Sequence, residues 1–302
     1  MPVSARAAVV LLAAACTATP HFAATPTPRP PVAAPAFVWP ATGQASLELD
    51  GVVTSSPAQV PVPIASVAKV MTAYVTVHSL PAAARLLVDA GDVADMVRRR
   101  ARGESVVKVR AGEVLTRDQA LTALLLPSAN NVAAMLAERV GGSWPVFLRL
   151  MNRTARDLGM TDTTYTDPSG YQPSTVSTAR DQLRLVRAAL RSPTLARIMG
   201  LRSASVPVAG WVRNTDTLLG HDGFLAGKTG STSSAGGCLV FRVVRAGRVL
   251  DGAVLGQRGA SLVGAGLAAA AGLADQALSG EDAHSARASM ESLHVVRGER
   301  RS

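Results

Sequence analysis

Cysteine is nearly absent from this 302-residue chain, which carries only Cys16 and Cys238. Two thiols cannot build a disulfide framework or a zinc site. Histidine is sparse as well: His21, His78, His221, His284 and His294 are scattered without metal-ligand spacing, so neither a metal nor a cofactor is expected. Aromatic residues make up 4%, too few for a platform on which single-stranded bases could stack, and nucleic acid is not an expected partner. No apolar run approaches the roughly 18 residues a spanning helix needs. Much of the 48% hydrophobic content is alanine.

Lysine is the most informative shortage. The net charge is +10, yet lysine occurs only at Lys69, Lys108 and Lys228, and the other 28 of the 31 cations are arginine. Where charge alone is wanted, this chain uses arginine, so its few lysines need a chemical reason. The one dense basic cluster, Arg98-Arg99-Arg100 with Arg102, reads as a solvated helix end or a patch facing an anionic cell wall.

The ends differ in composition from the middle. Residues 1–15 hold one cation, Arg6, then an apolar run closing on Ala13-Ala14-Ala15, the pattern of a short secretory signal peptide. Cys16 follows directly, as in a bacterial lipobox, although Ala13 stands where Leu or Val is usual. Two outcomes stay open: lipidation at Cys16 with membrane attachment, or plain secretion. Residues 16–40 form a proline-rich linker, with seven prolines from Pro20 to Pro40 and a preference for extended polyproline II. Residues 281–302 are polar and basic and read as a disordered tail.

The folded domain is expected over 41–280. Ser46–Asp50 alternates like a strand, and the stretch from Ser66 is apolar nearly all round, like a buried helix. Helices are expected at 116–126, 131–140, 144–158, 179–190 and 262–278, and a hairpin at 238–256 turning at Ala246-Gly247. A strand, a run of helices, a late hairpin and a closing helix make an α+β domain with helices packed on an antiparallel sheet.

Three short motifs lie in this frame. In Ser66-Val67-Ala68-Lys69, residues i and i+3 share a helix face, so the lysine can take the proton of an otherwise weak serine nucleophile if its amine is neutral. Burial and a second cation would lower its pKa, and arginine could not replace it. Ser128-Ala129-Asn130, at a helix break, offers a hydroxyl to relay a proton and an amide to grip a peptide group. Lys228-Thr229-Gly230, followed by Ser231, offers a cation and a hydroxyl for a carboxylate, with a glycine that admits a close backbone. Each alone is common. Together they take the order SxxK, SxN, KTG and absorb two of the three lysines.

With the flanking stretches IASVAKVMTA, ALLLPSANNVAAMLAE, MNRTARDLGMTDTTYTDPSGYQPSTVSTARDQ and GKTGSTSSAGGCLV, roughly residues 41–275 resemble the low-molecular-weight D-alanyl-D-alanine carboxypeptidases of serine peptidase family S11. The resemblance implies a serine β-lactamase/DD-peptidase-like fold: a five-stranded antiparallel sheet flanked by helices, beside an all-helical lobe. It implies that Ser66 is the acylated nucleophile, Lys69 its base and Ser128 a proton relay. Asn130, Lys228, Thr229, Gly230 and Ser231 would bind substrate, with the Ser66 and Ser231 N–H groups as the oxyanion hole. Peptidoglycan stem peptides would be the substrate, β-lactams the inhibitors, and the enzyme a monomer outside the cytoplasmic membrane. Many relatives carry a β-rich second domain and a C-terminal amphipathic anchor; the first is not expected in this sequence, and its tail is a poor match to the second.

Alternatives remain. A class A β-lactamase needs a glutamate after the second motif, and none lies between Glu138 and Glu281; Asp162 and Asp167 fall there without a matching motif. An SxxK esterase has no use for the Lys228-Thr229 pair. A peptidoglycan DD-endopeptidase shares the motifs. An arginine-rich protein binding teichoic or nucleic acid is the non-enzymatic reading. Cys238, beside Gly236-Gly237, is expected to be a small buried hydrophobe.

Overall fold

The computed structural model describes residues 37–279. The expected signal peptide, Cys16, most of the linker and the basic tail lie outside the described residues. Strand β1 (Gln44–Leu49) is followed by β2 (Val52–Ser55) and the two-residue β3 (Val62–Pro63). A 3-10 turn, Ala65–Ala68, runs straight into α1 (Lys69–Ser79). Then come β4 (Arg85–Leu87), α2 (Ala90–Ala101), β5 (Val114–Thr116), α3 (Arg117–Leu125), α4 (Asn130–Gly141) and α5 (Trp144–Asp157). After β6 (Val176–Ser177), α6 (Ala179–Ala189) and α7 (Pro193–Met199), the small hairpin β7 (Ser203–Val206) and β8 (Gly210–Arg213) leads to the three long strands. These are β9 (Phe224–Thr232), β10 (Gly236–Arg245) and β11 (Arg248–Gln257), and α8 (Leu262–Ser279) closes the described chain.

The main sheet has five antiparallel strands in the order β2-β1-β11-β10-β9, as the resemblance implied. Side chains of β10 alternate between its two faces, because successive strand residues point to opposite sides. Leu239, Phe241 and Val243 enter a core with Ala270, Leu273, Ala274 and Leu278 of α8. Cys238 and Val240 enter the larger core, which the helical lobe fills. The strand order places β9 at one edge of the sheet, so its outer side is free to meet the lobe.

Helix ends follow local chemistry. Thr116 and Gln119 form a reciprocal capping box on α3, and Thr178 caps α6 by accepting from the Asp181 N–H. Two helices escape the periodicity reading. The buried positions of α2 are Asp92, Met96 and Arg99, so its inner face is mostly polar and carries no apolar stripe; its signature is the Asp89–Asp92 capping box. The other, α7, is seven residues behind a Ser192-Pro193 start. The expected helix at Ser66 also begins as a 3-10 turn, which tightens the serine's surroundings.

Helix α8 departs from the expectation about apolar runs. Among the described residues it is the one helix long and apolar enough, by length and composition, to cross a membrane. Here Gly266, Ala270, Leu273, Ala274, Ala277 and Leu278 form its buried stripe. Phe37 and Trp39, at the end of the expected linker, pack against the same cluster, and Gln276 Nε2 donates to the Val38 carbonyl at 3.2 Å.

The start of α8 presses on β10. A Cβ placed on Gly237 would lie 1.8 Å from the Leu262 carbonyl oxygen and 3.0 Å from the Gly266 nitrogen, both backbone atoms that cannot swing aside. Gly237→Ala is therefore expected to lower stability by about 1–3 kcal/mol through overpacking. A urea-unfolding midpoint equal to the wild type would contradict this packing.

Candidate active site

Ser66 sits in the 3-10 turn whose entry, β3, is pinned to β6 through Val62–Ser177 and Pro63–Val176 pairing. Residues i and i+3 eclipse in a 3-10 turn, more closely than on an α-helix. Lys69 Nζ accordingly lies 2.8 Å from Ser66 Oγ. Ser66 is partly accessible, whereas Lys69 is wholly buried among the inward-facing residues of α1. The preceding Ala65 is held at φ +47, a left-handed conformation that costs a non-glycine residue energy and is concentrated at functional sites.

A second partner holds the amine. Lys69 Nζ donates to the Ser169 carbonyl at 2.9 Å, and Thr72 Oγ1 donates to the Pro168 carbonyl at 2.5 Å. This Asp167–Gly170 loop is braced from within. The Asp167 carboxylate accepts from the N–H groups of Ser169, Gly170 and Tyr171 and from the hydroxyls of Ser169 and Thr175. Gly170 backs onto the Ala65 carbonyl with no room for a side chain. Burial lowers the Lys69 pKa well below its ordinary value, and the charge of Lys228 lowers it further; Asp167 opposes both.

The third motif lies on β9, at the sheet edge. Lys228, Thr229, Gly230 and Ser231 pair with Val240, Leu239, Cys238 and Gly237 of β10. The other side of β9 meets the Ser66 turn. A Cβ on Gly230 would fall 2.9 Å from the Ser66 and Val67 nitrogens and 3.0 Å from the Ile64 oxygen, so only glycine admits this approach. Lys228 is fully buried and donates to the Thr229 carbonyl at 2.7 Å. Burial lowers its pKa to about 7 against the pull of Asp216. Burial in turn raises Asp216 to about 6.

Ser128 and Asn130 flank the break between α3 and α4. Ser128 is left-handed at φ +64, and its buried Oγ has no hydrogen-bond partner. Asn130 opens α4; its N–H donates to the Ser105 carbonyl at 2.7 Å, its Nδ2 donates to Glu104 Oε2 at 2.8 Å, and its buried Oδ1 is also unpartnered. Buried polar atoms are nearly always satisfied in folded proteins, so two orphans in one motif make it a candidate ligand contact.

Five contributors were not legible in the motifs. The Ser169 carbonyl and Asp167 lie a hundred residues from Lys69 in a loop whose Asp-Pro-Ser-Gly composition signals only a turn. Thr215 Oγ1 sits 2.5 Å from Thr229 Oγ1, and Asp216 lies beside Lys228 with Oδ2 buried and unpartnered. Glu104 holds Asn130. The basic cluster also needs correcting. Arg98 and Arg100 are exposed, but Arg99 is buried and pairs with Asp95 at 2.5 Å and Glu104 at 2.8 Å, and Arg102 pairs with Glu104 at 2.6 Å. Cys238 is a buried thiol whose pKa burial pushes up to about 12, so it is chemically quiet.

The chain compares closely with known proteins. The profile of the peptidase S11 family, described as D-alanyl-D-alanine carboxypeptidase, matches residues 47–259. A D-alanyl-D-alanine endopeptidase from Escherichia coli K12 is 31% identical over 190 residues, which cover 60% of this chain and 59% of that protein. The crystal structure of a D-alanyl-D-alanine carboxypeptidase from Mycobacterium tuberculosis H37Rv superposes with a TM-score of 0.70 at 30% identity, over 80% of this chain and 96% of that one. The Streptomyces K15 DD-transpeptidase shares the fold at a TM-score of 0.71 and 24% identity, over 78% of this chain and 97% of that one. With a family match over more than two thirds of its length, placed across all three motifs, this chain belongs to the peptidase S11 family of D-alanyl-D-alanine carboxypeptidases.

Proposed function

We propose that the protein is a serine-type D-alanyl-D-alanine carboxypeptidase that removes the terminal D-Ala from peptidoglycan stem peptides. The observation that carries this reading is the buried Lys69 amine 2.8 Å from Ser66 Oγ, with the Lys228-Thr229-Gly230 edge against the same turn. A neutral amine has one lone pair and two N–H bonds. The Ser169 carbonyl takes one N–H, and the lone pair is left to accept the Ser66 proton as Oγ attacks the penultimate D-Ala carbonyl. The Ser66 and Ser231 N–H groups would hold the oxyanion. Ser128 would pass the proton to the departing D-Ala amine, and Lys228 and Thr229 would hold the substrate's terminal carboxylate. Water then hydrolyses the acyl-enzyme. Penicillins would acylate the same oxygen.

The residues of the expected leader, 1–15, support action outside the cytoplasmic membrane, either released after cleavage or held by a lipid on Cys16. Mass mapping of the mature N-terminal peptide separates these two. The DD-endopeptidase reading draws on the Escherichia coli relative; a purified enzyme that opens cross-linked muropeptides faster than it trims a pentapeptide would favour it. Against a β-lactamase, the Asp167 carboxylate is consumed by five donors and is not free to drive a water onto the acyl-enzyme.

Mass spectrometry after penicillin treatment is expected to find a long-lived adduct on Ser66, absent from Ser66→Ala; rapid turnover of the drug would overturn the peptidase assignment. Lys69→Arg keeps the charge and removes the base, so acylation should fall about 10²–10⁴-fold. An active Lys69→Arg enzyme would refute the role given to Lys69. Lys228→Arg should raise KM more than it lowers kcat.

The pH dependence follows from the two amines. Lys69 must be neutral, so activity falls as pH drops through its lowered pKa. Lys228 must be charged, so kcat/KM falls again as pH rises through about 7 in the free enzyme. A bound carboxylate stabilises the Lys228 charge, so the alkaline limb of kcat should lie above that of kcat/KM. Coincident alkaline limbs would argue against carboxylate binding by Lys228.

A further inference from the structure

Glu104 follows the end of α2, and its side chain is completely buried. Both oxygens are occupied. Oε1 accepts from Arg102 Nε at 2.9 Å and Nη2 at 2.6 Å; Oε2 accepts from Arg99 Nη1 at 2.8 Å and Asn130 Nδ2 at 2.8 Å. Burial favours the neutral acid, but the hydrogen bonds from Asn130, Arg102 and Arg99 outweigh it and hold the carboxyl below its ordinary pKa. An ionised carboxylate only accepts. Of the two ends of the Asn130 carboxamide, therefore, only the NH2 can face Glu104. The adjacent Ser105 carbonyl fixes the Asn130 main chain at the same time. What remains is an unpartnered Oδ1 and one free N–H on a side chain that cannot flip. Arg99 is steadied in turn by Asp95 and by the Trp144 ring, 5.9 Å from its guanidinium carbon.

This cluster is tied directly to the second motif, through Glu104 Oε2 to Asn130 Nδ2 and through the neighbouring Ser105 carbonyl to the Asn130 N–H. Nor is it explained by stability. A buried amide oxygen without a partner costs about 1–3 kcal/mol, and an apolar residue would avoid that cost.

We propose that Glu104 is a positioning residue, which locks the Asn130 carboxamide so that its oxygen and second N–H meet the substrate amide beside the scissile bond. The proposal rests on the acyl-transfer reading of Ser66 above. Its test compares two β-lactams, benzylpenicillin, which carries an acylamino side chain, and 6-aminopenicillanic acid, which does not. Second-order acylation rates are measured by intact-protein mass spectrometry on the full chain. Glu104→Ala should lose about 10- to 100-fold with benzylpenicillin, the worth of an amide grip. With 6-aminopenicillanic acid it should lose no more than about 3-fold, there being no side-chain amide to grip. Glu104→Gln retains a carbonyl for Asn130 Nδ2 and should recover part of the benzylpenicillin rate. In an Asn130→Ala background the selective loss should vanish. If Glu104→Ala does not fold, the combined Arg99→Met, Arg102→Ala, Glu104→Leu protein removes Glu104 together with both of its arginines, leaves Asp95 paired with Arg98, and should show the same selectivity. Equal losses on both β-lactams, or a selective loss that persists in Asn130→Ala, would overturn the proposal. A wild-type protein that benzylpenicillin does not label at Ser66 would overturn the acyl-transfer reading instead.

Discussion

An amine can act as a base beside a hydroxyl only where it has been relieved of its charge, and the base role proposed for Lys69 depends on surroundings that favour its neutral form. The residue opens a helix whose first five residues, Lys69 to Ala73, are all buried, so water cannot solvate an ammonium there. Lys228 on the sheet edge adds a repelling charge. The 3-10 geometry of the Ser66 turn then sets the distance, and the Ser169 carbonyl of the Asp167-braced loop takes one N–H, which leaves the lone pair able to face Ser66 Oγ.

These arrangements carry a stability cost. Lys228 alone, with its pKa brought from 10.5 to about 7, disfavours folding by about 5 kcal/mol. The sign follows from proton binding. Between pH 7 and 10.5 the unfolded chain holds the proton and the folded one does not, so the cost is full below pH 7 and disappears above 10.5. Left-handed Ala65 and Ser128, the orphaned Ser128 Oγ and Asn130 Oδ1, and the unpartnered Asp216 Oδ2 add to it. The offset comes from the two cores on either face of the sheet. Ala65 and Ser128 place left-handed backbone at the first two motifs, while Asp50, Val208, Asp222 and Ala246 take the same conformation elsewhere.

The charge distribution acquires a second meaning in the folded state. A run of arginines on a polar helix reads as solvated, and for Arg98 and Arg100 it is. Arg99 and Arg102 instead turn on Glu104, and through it on the amide of the second motif. Helix α2 thus buries two charged residues with separate partners, Asp92 on Arg139 and Arg99 on Glu104.

The local placement of the motif residues was readable from the chain alone. Scarce lysines at Lys69 and Lys228, the spacing of Ser66 to Lys69, the helix break at Ser128 and the late hairpin are short-range features, and each reappears in the fold at or near its expected place. The resemblance these motifs carry also anticipated the five-stranded sheet. Long-range partners were not readable: Asp167 and Ser169 for Lys69, Asp216 for Lys228, Thr215 for Thr229 and Glu104 for Asn130. Sequence spacing governs which side chains share a turn of helix or a face of a strand. Which carbonyl or carboxylate closes over them depends on how separate elements pack, and that is decided only when burial forces every polar group to find its partner across the fold.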